Sequence, residues 1–160
     1  MIPLPELVAT LSGLPWAVVG AVAAGRYMPE RTTRDVEIAI LRRDRQEVAR
    51  RLQAAGYNHR GNLSICGSTW TAADGTPLGV IEGGEQWWPI ALEMAGDNAD
   101  ADRVPFLPAP YLVLMKALAS RVQDLADVTR ILGRMSDTGL DEVRELSEWK
   151  RLCSAKTSKA

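Results

Sequence analysis

The segment from Trp16 to Ile40, WAVVGAVAAGRYMPERTTRDVEIAI, restricts the fold of this chain more than any other stretch. An apolar run, WAVVG, stops at Gly20, and small residues follow through Ala23, Ala24 and Gly25. Strand, glycine turn and short helix are predicted in that order, and backbone N–H groups at such a helix start can approach a phosphate closely. Further on, an extended run from Asp35 puts Val36, Ile38 and Ile40 on one face and Asp35, Glu37 and Ala39 on the other. Two carboxylates then point the same way from one strand, and such a pair suits a hard divalent cation held together with a nucleoside triphosphate.

The rest of the chain continues the alternation of strand and helix, which argues for an α/β or α+β fold rather than a bundle. A short amphipathic helix is predicted over Pro5 to Leu14, stopped by Gly13-Leu14-Pro15, and residues 16–20 and 35–41 are predicted as two inner strands. Asp44 is the predicted N-cap of a helix over Arg45 to Ala55 that ends at Gly56. Asp74-Gly75 joins the β-type runs Leu63 to Ala73 and Thr76 to Glu82 as a hairpin. Trp87 to Ala95 suits either a strand or a short helix. An extended stretch, VPFLP, starts at Val104 and precedes helices over Pro110 to Arg121, Asp124 to Arg134 and Asp141 to Leu152. Leu125, Val128, Ile131 and Leu132 form the apolar stripe of the second of these.

At 160 residues the chain suits one domain, read here as 1–153 with a small, polar, disordered tail at 154–160. A net charge of −1 supplies no general attraction to nucleic acid, so any such contact needs a local basic patch. Arg42-Arg43-Asp44-Arg45 and Arg50-Arg51 are the candidates, read first as a solvated helix face. Cys66 and Cys153 are too few and too isolated for a disulfide framework or a cysteine zinc site, which fits a reducing cytosol. The N-terminal MIPLPELVATLSGLPW has no basic leader and stays short of the ~20 apolar residues that span a bilayer, so no membrane role is expected. His59 falls in a polar turn, NHRGN, and the dispersed tryptophans read as core or interface residues, with Trp87-Trp88 beside Pro89 as an exposed patch for a partner protein.

Gly20 followed by a small residue, Ala23, Arg31, Thr33 and Asp35-x-Glu37 resembles the GG-x-A…R-x-T-x-D-x-D signature of minimal nucleotidyltransferases, in particular the AbiEii-like group that includes toxins of toxin–antitoxin pairs. The stretch Leu112 to Leu132, LVLMKALASRVQDLADVTRIL, is similar to that group's L-x-x-x-K-x-x-A-x-R-x-x-D-x-x-D pattern. The resemblance implies a mixed, mostly antiparallel sheet flanked by helices, with a core over about 1–103, a C-terminal helical cap over about 104–153, and a nucleotide cleft between sheet and cap. It also implies a helix at Trp87 to Ala95. Magnesium is the implied metal, held by Asp35 and Glu37. The implied nucleotide contacts are Gly20, Ala21, Arg31, Thr33, Lys116, Arg121 and Asp124, with Asp35, Glu37 and Lys116 as catalytic residues. Implied partners are an NTP, an RNA or protein acceptor, and an antitoxin.

Three departures from the signature matter chemically. The second glycine is Ala21, the second acid is Glu37 rather than Asp, and Gly79 stands where the resembled enzymes carry a third aspartate on the strand TPLGVIE. Glu82 could substitute only if a bulge turned it to the other face. Lys116 lies in an apolar helix, where an ammonium needs water or a fixed anion, by snorkelling or by pairing. Arg121, Asp124 and Asp127, three apart, read first as an internal ion-pair cluster that fixes the interhelical corner. Two functions are therefore carried forward: transfer of a nucleoside monophosphate from an NTP to RNA or protein, and a catalytically degenerate module that binds nucleotide or a partner protein.

Overall fold

The structure, a computed structural model, describes residues 4–29, 33, 35–64 and 66–157, with side chains as far as Glu148. Two compact units result, one of Met1–Ala23 with Arg31–Pro108 and one of Ala24–Glu30 with Ala109–Ala160.

The first unit is built on a mixed five-stranded sheet. Its strands are β1 (Trp16–Val19), β2 (Val36–Leu41), β3 (Asn58–Asn62), β4 (Gly67–Thr71) and β5 (Pro77–Gly83), in the spatial order β1-β2-β5-β4-β3. Only β2 and β5 run parallel; the other three pairings are antiparallel. The apolar residues of β1 and β2 explain their position: Ala17, Val18, Val19, Val36, Ile38 and Ile40 are all buried. Helices α1 (Leu4–Thr10), α3 (Arg45–Ala54) and α4 (Trp88–Asp97) belong to this unit, and α2 (Gly20–Ala24) follows β1 directly.

The sheet order corrects one expectation. β2 is internal but β1 is an edge strand, its outer rim engaged by the extended VPFLP stretch: Val18 N–H donates to Pro105 O at 2.8 Å, and Leu107 N–H donates to Val18 O at 3.1 Å. The Asp74-Gly75 turn is present, with Gly75 at φ +84 and Asp74 Oδ1 accepting from Thr76 N–H at 2.9 Å. The polar NHRGN, in contrast, is β3 rather than a turn. Its His59 ring meets Trp70 edge-on at 4.9 Å, and Arg60 donates to Thr71 Oγ1 at 2.8 Å, so cross-strand partners rather than apolar alternation hold it in the ladder.

Trp87 to Ala95 resolves as helix, and the expected exposed Trp87-Trp88 patch is not there, because both rings are buried. Trp88 Nε1 donates to Ile40 O at 2.8 Å, and its indole covers Gly83, where an added β-carbon would stand within 2.5 Å of Cε3. Only a glycine lets the helix come so close to the end of β5. Asp44 occupies the cap position of α3 but makes no side-chain cap bond; it lies in a 3-10 turn over Arg42–Asp44 with its carboxylate 4.0 Å from Arg43 Nε.

The second unit carries helices α5 (Ala109–Ala119), α6 (Val122–Leu132) and α7 (Asp137–Thr157). The last runs four residues into the stretch expected as tail, and Ser158 to Ala160 lie outside the described residues. In α6 the apolar stripe faces inward in part: Ile131 is buried and Val128 and Leu132 are half-buried, but Leu125 is 48% exposed, and Asp124 and Asp127 are buried as well.

Candidate functional site

In the first unit, Glu37 is the second residue of β2 and pairs with Val19 on one side and Gly79 on the other. It is half-buried. Register partners in a sheet carry their side chains on the same face, so a side chain at 79 would stand beside that of Glu37. The β2–β5 register runs unbroken from Leu78 to Gly83, with Glu82 opposite Ile40, so no bulge brings Glu82 round to the face of Gly79. Gly20, at φ +64, opens α2. A β-carbon there would fall on Glu37 Oε2 and lie 3.0 Å from Cδ, so the carboxylate of Glu37 rests directly against the α-carbon of Gly20. Ala21 is half-buried in the same short helix.

Asp35 is exposed and lies one residue before the ladder begins, so no sheet pairing fixes which face it shares with Glu37. Thr33 and Asp35 hold each other in a local turn, Thr33 Oγ1 lying 3.4 Å from both the N–H and the carbonyl of Asp35. Arg31 lies outside the described residues.

The residues expected from the C-terminal block meet within the second unit. Lys116 is 5% exposed, and its Nζ donates to Asp127 Oδ2 at 2.8 Å and to Asp124 Oδ1 at 3.3 Å. Its ammonium therefore ends on carboxylates and does not snorkel to water. Arg121 Nε donates to Asp124 Oδ2 at 2.5 Å, while the Arg121 side chain stays 68% exposed. Burial pushes the Asp124 carboxyl up, but the Arg121 hydrogen bond and the Lys116 charge outweigh it and hold the group below the ordinary aspartate value. Asp127, the nearest partner of Lys116, is the member whose weight the spacing alone did not reveal: it belongs to the cluster, but only coordinates show that it is fully buried.

Among the described residues no group of three or more His, Cys, Asp or Glu side chains gathers as a metal would require. A single magnesium shared with phosphates commonly takes only one or two protein carboxylates, and a two-metal centre takes more.

No family model matches the chain, and no curated protein sequence matches it. Solved structures do share its fold. The solution structure of the antibiotic-resistance factor ANT(2'')-Ia aligns over 99% of this chain and 95% of its own, with 11% identity and a TM-score of 0.64. The crystal structure of ANT(2'')-Ia in complex with adenylyl-2''-tobramycin aligns over 92% and 94%, with 12% identity and a TM-score of 0.62. The lincosamide antibiotic adenylyltransferase LnuA, bound to lincomycin, aligns over 81% and 92%, with 13% identity and a TM-score of 0.53. A mixed five-stranded sheet with flanking helices, superposable on these enzymes over most of its length, gives this chain the nucleotidyltransferase fold.

Proposed function

We propose that the protein binds a nucleoside triphosphate beside Glu37 and, as the chain stands, transfers the nucleotide slowly or not at all. One observation carries this: Gly79 is the register partner of Glu37, so the neighbouring strand offers no carboxylate where a second cation would need one. Glu37 and Asp35 would hold a single magnesium, which when bound neutralises phosphate charge. Glu37, seated against Gly20, fixes the place of that charge, and exposed Asp35 completes the pair from the segment before β2.

The AbiEii-like resemblance of Arg31, Thr33, Asp35 and Glu37 and of the Lys116 block favours RNA or protein over a small molecule as any acceptor, and an antitoxin as a partner. Calorimetric titration with each of the four NTPs, with and without magnesium, tests the proposal. Binding that requires magnesium and is lost in Glu37→Ala supports it. Binding of no NTP under either condition sinks it.

A further inference from the structure

The side chain of Glu37 runs between two glycines of the first unit. On one side, a β-carbon at Gly79 would stand 3.3 Å from Glu37 Cγ and 3.9 Å from its Cβ, so the stem leans into space that a side chain at 79 would share. On the other, a β-carbon at Gly20 would fall on Oε2 and stand 3.0 Å from Cδ and 3.2 Å from Cβ, so the carboxylate fills the place of a side chain at 20. Two demands thus meet at Gly20, and they are separable. Its φ of +64 is a conformation asparagine also adopts, whereas the contact with Glu37 excludes any side chain.

We propose that Gly20 and Gly79 are positioning residues for Glu37: Gly79 leaves room for its stem, and Gly20 for the carboxylate that the extra methylene carries forward. Glycine at 79 is then more than a missing ligand. A β-carbon at 79 would crowd the stem of Glu37 by a few tenths of an ångström, and glycine there leaves the stem in place. The functional consequence rests on the nucleotide-binding reading above, but the positioning itself does not.

The test is a thermal double-mutant cycle on the full chain, comparing wild type, Gly20→Ala, Glu37→Ala and the double variant. The positive φ penalises alanine in both backgrounds, so it cancels, and the clash with the carboxylate remains. The melting-temperature loss caused by Gly20→Ala should shrink to roughly half or less once Glu37 is alanine. An equal loss in both backgrounds overturns the proposal. Should Gly20→Ala fail to fold, Gly79→Ala keeps the question open to measurement, since only a few tenths of an ångström of adjustment is asked of it. In that variant the side-chain carboxyl carbon signal of Glu37 in NMR should shift while the signals of Glu47 and Glu93 stay in place. An unmoved Glu37 signal overturns the proposal. Neither readout uses nucleotide, so failure here is distinguishable from failure to bind triphosphate.

Discussion

Lys116 Nζ stands 2.8 Å from Asp127 Oδ2, and neither side chain is more than 6% exposed, so an ammonium and a carboxylate of two successive helices neutralise each other out of water. Removing one member of such a pair leaves the other charged and buried. Lys116→Met should therefore lose about 3–5 kcal/mol of stability in urea denaturation, and Lys116→Met combined with Asp127→Asn should recover much of that loss. The double variant is then the sound one for asking whether Lys116 contributes to triphosphate affinity. Single and double variants of equal stability would show that the pair does not hold the helices.

Acid should weaken the same cluster in a defined direction. Asp124 is held below its ordinary value by Arg121 and Lys116 despite its burial. Its stabilising contribution is thus fully present above the unfolded-state value of about 3.9 and lost as pH falls through the lower folded-state value. Urea midpoints measured from about pH 5 downward should fall more steeply for wild type than for Asp124→Asn below about pH 4. Glu47, held down to about 2 by its hydrogen bonds to Arg50 and Arg51, titrates in the same region, but that cluster is a solvent-facing one. Added salt should screen the Glu47 contribution and leave that of Asp124 largely in place. Parallel pH profiles for wild type and Asp124→Asn would contradict this assignment.

Two glycines separate close packing from idle flexibility. At Gly83 a β-carbon would run into the indole of Trp88, whereas at Gly96, inside α4, it would meet nothing within 4 Å. Gly83→Ala should cost roughly 1–3 kcal/mol by overpacking. Gly96→Ala should stabilise by about 0.4–1 kcal/mol, because it restricts the unfolded chain without strain. Chemical denaturation of both variants checks this, and a stabilised Gly83→Ala would mean that Trp88 does not lie on β5.

What the sequence discloses follows the strength of the local signal. WAVV, VEIAIL and Asp74-Gly75 are legible because burial on β1 and β2 and positive φ at the turn each leave a residue-type imprint. β3 is not, since NHRGN is almost wholly exposed and its strand character comes from His59 and Arg60 meeting Trp70 and Thr71 across the ladder. On α6 the stripe holds at Ile131 and is misread at Leu125, for a related reason. Hydrophobicity ranks Leu125 above Asp124 and Asp127, but Lys116 on the preceding helix makes the acids the buried residues. In the candidate site, the i, i+2 spacing of Asp35 and Glu37 and the glycine at 20 are plain in the sequence. The contact of the Glu37 carboxylate with Gly20 is not, because it depends on how a four-residue edge strand and β2 are aligned.

Restoring an acid at position 79 tests whether the missing carboxylate is what limits transfer. A carboxylate introduced by Gly79→Asp would share a sheet face with Glu37, and its β-carbon, 3.3 Å from Glu37 Cγ, asks that side chain to give by only a few tenths of an ångström. Gly79→Asp is therefore expected to raise magnesium-dependent incorporation of a labelled NTP into RNA or protein. The gain should disappear when Asp35→Ala is added, because a cation bridging the triphosphate then loses one of its few protein ligands. Vigorous wild-type incorporation that survives Asp35→Ala would put the chemistry elsewhere in the chain. Absence of incorporation from the wild type and from Gly79→Asp, with triphosphate binding intact, would leave a nucleotide-binding module whose lost catalysis is not repaired by one carboxylate.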